Sequence, residues 1–309
     1  MRARIESHLG AGILHLAEQA QRRAVHAKLK RHHAASGRVT PYLECGPAHA
    51  PTLVWLHGFA DKPDSFLRAA APLVKRFRVV APALPGFGDG WFDPRERHTF
   101  AAYASWIGEV LSEIGGPRFH LMGNSLGAAI AAEIAANDRG GRVASLVLVD
   151  GAGIDVPGVR SVTDEQREGE NLFIVRDADG YQRFLSRIFA SPPWLPRPVR
   201  VHLADQLRRS ADWYERLMLD LHTSTMAGNI DGVLSNVDLA NIRVPTLVVW
   251  GERDTLFPVL HGEHVVRSIP GAKLEVLDGV GHCPHLESPV KLAAAIERFV
   301  RGQSTTAAP

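Results

Sequence analysis

Cysteine is nearly missing: Cys45 and Cys283 stand alone among 309 residues, which excludes both a disulfide framework and a CxxC pair. So few thiols suit a reducing compartment, and a cytoplasmic location is the expectation. Charge of one sign is also lacking. Lys and Arg number 35 against 33 Asp and Glu, a formal +2, so nothing points to nucleic acid or an acidic polymer as partner. No apolar run approaches the roughly 20 residues that a spanning helix needs. The nearest look-alike, residues 9–14 behind Arg2 and Arg4, is interrupted at His15 and Glu18 and makes a poor signal-peptide core. Internal repeats, low-complexity tracts, and Walker or dinucleotide glycine loops are absent, so no cofactor is implied. His261 with His264 and His282 with His285 sit three apart without a third ligand, so no metal is implied either.

What is present is a chain with 45% hydrophobic residues, enough for one large core or a core with a smaller inserted domain. At the amino end Ile5, Leu9, Ile13, Leu16, Ala20, Ala24, Ala27 and Leu29 keep helical spacing, with Arg22, Arg23, Lys28, Lys30 and Arg31 gathered behind them. One amphipathic helix from Ile5 to Lys30, within an amino-terminal segment 1–35, is the expectation. It either packs on its own domain, its basic end complementing the helix dipole, or lies on a membrane surface. Packing is preferred, because His15, Glu18 and Gln19 break the apolar face and alanine supplies much of the rest.

From residue 36 the pattern changes to alternating strands and helices. Arg38 to Glu44 reads as a strand that Pro41 demotes to an edge or a bulge. Residues 52–56, 77–81, 118–122, 145–150, 245–250 and 273–277 are short apolar runs, with a helix from about Phe100 to Ile114. Continuous apolar strands alternating with helices predict an α/β fold: a mostly parallel sheet covered on both faces. Between Val149 and Val244 the alternation stops for roughly 90 residues, too many for an unstructured connection. The patterns at 181–189 and 213–219, flanking the proline-rich residues 192–198, predict a helical cap over the carboxyl edge of the sheet. The expected division is 36–151 and 237–301 for the core, 152–236 for the cap, and 302–309 for a frayed tail.

The chemistry centres on Gly123-Asn124-Ser125-Leu126-Gly127, a Gly-x-Ser-x-Gly pattern between a strand and an alanine-rich helix. A serine on such a turn projects its hydroxyl from the sheet edge, and the glycines keep Cβ atoms away from crowded backbone. Serine is a weak nucleophile at neutral pH, so it needs a base, and the base needs a carboxylate to hold its tautomer. Gly251-Glu252-Arg253-Asp254 and Gly279-Val280-Gly281-His282 follow the last two strands at that same edge. Ser125, Asp254 and His282 are therefore the candidate triad. Asp150, which ends the strand beside the elbow, competes with Asp254. His57 is read as a brace for its own turn, and Glu252 as pointing away. The backbone N–H groups of Phe59 and Leu126 are the candidate oxyanion donors.

From about Arg38 to Arg301 these motifs together resemble the α/β-hydrolase superfamily. His57-Gly58-Phe59, Pro85-Gly86-Phe87-Gly88, the elbow, the Asp254 loop, and Gly281-His282 followed by Glu287 and Pro289 occur in the family's order. Lys62, Asp64 and the proline-rich cap look most like the monoacylglycerol lipase and esterase branch. Ala83 stands where the family often has Asp, so the loop there must be braced differently. The resemblance implies a carboxylic ester hydrolase acting through an acyl-enzyme on a small apolar ester, monoacylglycerol-like or with a short-to-medium acyl chain. The alternatives are a carbon–carbon bond hydrolase of ring-cleavage products, which usually carries Trp after the histidine and Gly-Gly after the elbow, and a non-catalytic ligand-binding scaffold. Relatives attacking with Asp at the elbow are argued against by Ser125.

Overall fold

The computed structural model describes residues 2–226 and 239–304. A helix, α1 (Arg2–Ala24), leads into the strands β1 (Lys28–His33), β2 (Val39–Cys45) and β3 (Thr52–Leu56). The short α2 (Leu67–Ala70), β4 (Arg78–Pro82), α3 (Phe100–Ile114), β5 (Phe119–Asn124), α4 (Leu126–Ala136) and β6 (Val143–Val149) follow. Among the described residues three helices then intervene, α5 (Val162–Arg167), α6 (Ala178–Ile188) and α7 (Arg197–Met226), before β7 (Thr246–Gly251), α8 (Val259–Ser268), β8 (Lys273–Leu277), α9 (Pro284–Glu287) and α10 (Pro289–Ser304).

Among the described residues eight strands form one sheet in the order β1-β2-β4-β3-β5-β6-β7-β8. β2 pairs antiparallel with β1 and β4, and every other pairing is parallel. Side chains alternate across a strand, so each apolar run feeds two cores. Val54, Leu56, Leu148, Val248 and Trp250 pack with α3, α4 and α8. Leu53, Trp55, Val147, Val149 and Leu247 pack with α2 and α10 on the other face. Burial on both sides is why these strands lack a polar stripe.

Three expectations are corrected. The amino-terminal helix stops at Ala24, and the basic residues Lys28, Lys30 and Arg31 belong to β1 rather than to the helix end. His26, with φ +53°, turns the chain, and β1 then finds a partner in β2, so the sheet begins at Lys28. Pro41 is neither at an edge nor at a bulge, because β2 is flanked on both sides. It lies one residue past the last rung toward β4, Tyr42 opposite Pro82, where the Ala83 N–H donates to its carbonyl at 2.8 Å, so its missing N–H falls at the end of that ladder. Finally, α10 runs through Ser304, past the expected start of the tail at 302. Residues 227–236 of the expected cap and 305–309 lie outside the described residues.

α1 packs along α7. The two approach so closely at Gly10 that a Cβ there would lie 1.9 Å from the Pro198 carbonyl oxygen. Polar ties join Glu6 to Arg197 and Ser7 to Asp205 on α7, and Glu18 to Lys62 and Arg22 to Asp64, the last at 2.6 Å, on the segment after β3. Lys62 and Asp64, beyond the His57-Gly58-Phe59 turn, therefore anchor the amino-terminal helix. The opposite face of α1 leaves Ile5, Leu9 and Leu16 largely exposed. Among the described residues no helix is long and apolar enough to cross a membrane.

Candidate active site

Parallel strands end on one edge, so the loops after β3, β5, β6, β7 and β8 converge there. Ser125 sits between β5 and α4 with φ +53° and ψ −119°, backbone strain of the kind stored at functional turns. The flanking glycines are obligatory. A Cβ on Gly123 would lie 2.1 Å from the Gly127 carbonyl oxygen, and one on Gly127 would lie 2.2 Å from that of Leu56. The turn after β3 also passes close enough that a Cβ on Gly58 would lie 3.3 Å from the Ser125 Cβ, which sets Gly58 beside the serine.

Asp254 and His282 meet as a buried pair, with His282 Nδ1 2.8 Å from Asp254 Oδ2. The other carboxylate oxygen, Oδ1, accepts the Leu256 and Phe257 N–H groups at 2.8 and 3.1 Å. Both oxygens are thus committed and the carboxylate cannot rotate. Asn124 ties this pair to the elbow, its side-chain amide donating to the carbonyls of Val149 and His282.

Asp150 is brought to the same place. It follows β6 with φ +43° and is fully buried. Its Oδ1 accepts the Gly251 N–H at 2.8 Å, and ligand atoms of Asp150, Asp254 and His282 lie within 4.8 Å of one another. Burial first and the charge of Asp254 second hold the Asp150 carboxyl well above the usual carboxylate range. This is the cluster with metal-like spacing among the described residues, and its Asp254–His282 hydrogen bond already uses one ring nitrogen.

The remaining loop residues are structural. His57 accepts the Leu84 N–H at Nε2 and bonds the Gly58 carbonyl through Nδ1, which fixes one neutral tautomer; burial holds its pKa below the ordinary histidine value. That contact, with Tyr103 Oη donating to the Pro85 carbonyl and Trp213 Nε1 to that of Gly86, braces the loop where Ala83 replaces the family's Asp. Glu252 accepts the Gly279 N–H and is exposed, away from the serine. Glu287 escaped a functional reading from the sequence. Its carboxylate accepts the Gly281 and Cys283 N–H groups on either side of His282, and those of Ala190 and Ser191 after α6. Its place five residues beyond His282 was visible, but its reach to Ala190 was not. The His282 N–H donates in turn to the Ile188 carbonyl, so the α5–α7 insertion is tied directly to the histidine loop.

Ser125 opens into a narrow cavity of about 60 Å³ walled by Phe59, Leu126, Phe173, Met218, Leu221 and Phe257. Its lining is almost wholly apolar and comes from both the sheet edge and the insertion.

A family model described as the alpha/beta hydrolase family matches residues 53–295, and the chain belongs to that family. It is 26% identical to Lipase 1 of Psychrobacter immobilis over 255 residues, 82% of this chain and 78% of that one. It is 23% identical to monoacylglycerol lipase abhd6-B of Xenopus laevis over 270 residues, 84% of this chain and 78% of that one. Among solved structures, one described as a membrane phospholipase A and bacterial virulence factor superposes with a TM-score of 0.88 at 30% identity, covering 96% of this chain and 93% of the other. A 2-hydroxy-6-oxo-6-phenylhexa-2,4-dienoate hydrolase from Rhodococcus sp. strain RHA1 gives a TM-score of 0.70 at 20% identity, over 89% and 99%, and so shares the fold.

Proposed function

We propose that the protein is a carboxylic ester hydrolase that works through Ser125, His282 and Asp254. The observation that carries this reading is the strained Ser125 at the mouth of an apolar cavity, on the edge that also holds the Asp254–His282 pair. With Nδ1 bonded to Asp254, Nε2 is the ring nitrogen left to take the serine proton. Ser125 Oγ then attacks the ester carbonyl carbon, and His282 returns the proton to the leaving alcohol as the C–O bond breaks. Water, deprotonated by the same nitrogen, cleaves the acyl-enzyme. As the first residue of α4, Leu126 has an N–H with no intrahelical acceptor. That N–H and the N–H of Phe59 would stabilise the oxyanion.

The lipase names of the relatives and the apolar wall support an apolar acyl ester, monoacylglycerol-like or with a short-to-medium chain. The cavity is far below the roughly 300 Å³ of a typical ligand pocket. The α5–α7 insertion would therefore act as a cap whose Phe173, Met218 and Leu221 shift to admit substrate. Cys283, where carbon–carbon bond hydrolases usually carry Trp, favours ester chemistry. The outward face of α1 would serve as a peripheral contact with lipid. Ile5, Leu9 and Leu16 are exposed there beside Arg4 and Arg23, while Glu6 and Glu18 turn inward to Arg197 and Lys62.

The test is a panel of p-nitrophenyl esters of graded acyl length together with a fluorophosphonate label for active serines. Turnover and labelling that both vanish in Ser125→Ala are expected. Turnover of ring-cleavage dienoates without ester turnover would sink the reading, as would labelling that survives the substitution.

A further inference from the structure

The Asp150 carboxyl is not needed for the triad, yet it lies beside it with one oxygen unaccounted for. Oδ1 is held by the Gly251 N–H at 2.8 Å. Oδ2 is sealed from solvent and receives no hydrogen bond. An ionised carboxylate oxygen is acceptor-only and is costly to bury without a donor. A protonated oxygen reverses the requirement, because it needs an acceptor, and the carboxylate of Asp254, within 4.8 Å, supplies one. Asp254 Oδ1 and Oδ2 already receive three hydrogen bonds, from Leu256, Phe257 and His282, which mark it as the ionised member of the pair. Two buried carboxyls this close do not both ionise. The groups that face Asp150 are Asp254, His282, Glu287 and the thiol of Cys283, and none of them is a fixed cation that would stabilise a second negative charge.

We propose that Asp150 is a positioning residue of this site: its carboxyl keeps a proton and donates it to the carboxylate of Asp254, which in turn holds His282. No proton is transferred in the cycle. The donated hydrogen bond draws charge from Asp254 and fixes it, which sets how strongly Asp254 raises the basicity of the imidazole. The strained backbone at Asp150 (φ +43°) and the Gly251 N–H aim the carboxyl across from β6 to β7. The inference rests on the serine-hydrolase reading above.

Asparagine separates the protonated from the ionised state, since it keeps the acceptor for Gly251 and offers an N–H to Asp254. In Asp150→Asn, kcat and kcat/KM should stay within about twofold of wild type, and the acid limb of the pH–rate profile should not move. Were Asp150 ionised, its neutralisation within 4.8 Å of the histidine would drive that limb down by about a unit or more. Asp150→Leu removes the donor, so kcat should fall roughly tenfold at constant KM, with the acid limb shifted upward. An infrared band of a protonated carboxylic acid, present in wild type and missing in Asp150→Asn, reports the proton without any activity assay and stands even if the leucine variant fails to fold. A downward shift of the acid limb in Asp150→Asn, an infrared difference without that band, or a fully active Asp150→Leu would each overturn the proposal. So would loss of activity on chelation that a divalent metal restores. Failure of the serine-hydrolase reading is distinguishable, because fluorophosphonate labelling of Ser125 would then be absent in wild type as well.

Discussion

Asp254→Asn tests the triad most sharply, because the surroundings dictate how the new amide must sit. Leu256 and Phe257 both point N–H groups at Oδ1, so the amide oxygen has to occupy that position. The NH₂ then faces His282 Nδ1 where an acceptor stood at 2.8 Å. To avoid two opposed donors the ring must present its Nδ1 lone pair, and the proton moves to Nε2, where it blocks abstraction from Ser125. A wrong tautomer with intact geometry costs about 10⁴ in kcat in serine triads. Stability should change by no more than about 1 kcal/mol, since the buried backbone donors keep their acceptor. The assay is kcat with p-nitrophenyl butyrate across pH, alongside a urea melt. A folded Asp254→Asn enzyme with near-wild-type kcat would refute the reasoning. If Asp150→Asn then lost activity in its place, both the acid and the neutral role of Asp150 would have been misassigned.

Three further outcomes are expected. His120 is buried against Ser145 Oγ at 2.8 Å, and burial lowers its pKa from 6.5 to about 4. The unfolded chain therefore binds a proton that the native state refuses, and stability is full above pH 6.5 and lost as pH falls toward about 4, by up to about 3 kcal/mol. Urea melts at pH 7 and 4.5 should show this loss shrinking in His120→Gln, and an equal loss in both proteins would refute it. Glu287→Gln leaves one acceptor oxygen and an NH₂ where two oxygens took four N–H groups. Stability should drop by about 1–3 kcal/mol, with kcat falling as His282 loosens, and an unchanged melting temperature would count against the bracing role. Deleting residues 1–24 uncovers the face of α7 around Pro198 and His202 and should lower the melting temperature. In co-sedimentation with phosphatidylglycerol vesicles only the full-length protein should pellet, and more so at low salt. Equal pelleting of both would remove lipid contact from α1.

Much of the architecture was legible because its signals are local. Apolar runs such as residues 53–56 and 247–250 are buried on both faces, and that requirement is written in each residue of the run. The elbow was equally plain, since crowding at Gly123 and Gly127 forbids any Cβ. The placing of Ser125, Asp254 and His282 after β5, β7 and β8 pointed to one edge, because parallel strands all end there.

Tertiary structure decided what depends on a partner distant in the chain. Residues 28–30 continue the helical spacing of α1, yet an edge position against β2 outweighs so weak a propensity. Lys62 and Asp64 carry no mark of the helix they hold, nor Glu287 of the Ala190 backbone it reaches. Asp150 and Asp254 are 104 positions apart in sequence, yet adjacent parallel strands carry them to within 4.8 Å. Which of the two is ionised follows from where three N–H donors point, and those directions exist only once β6, β7 and the His282 loop have packed together.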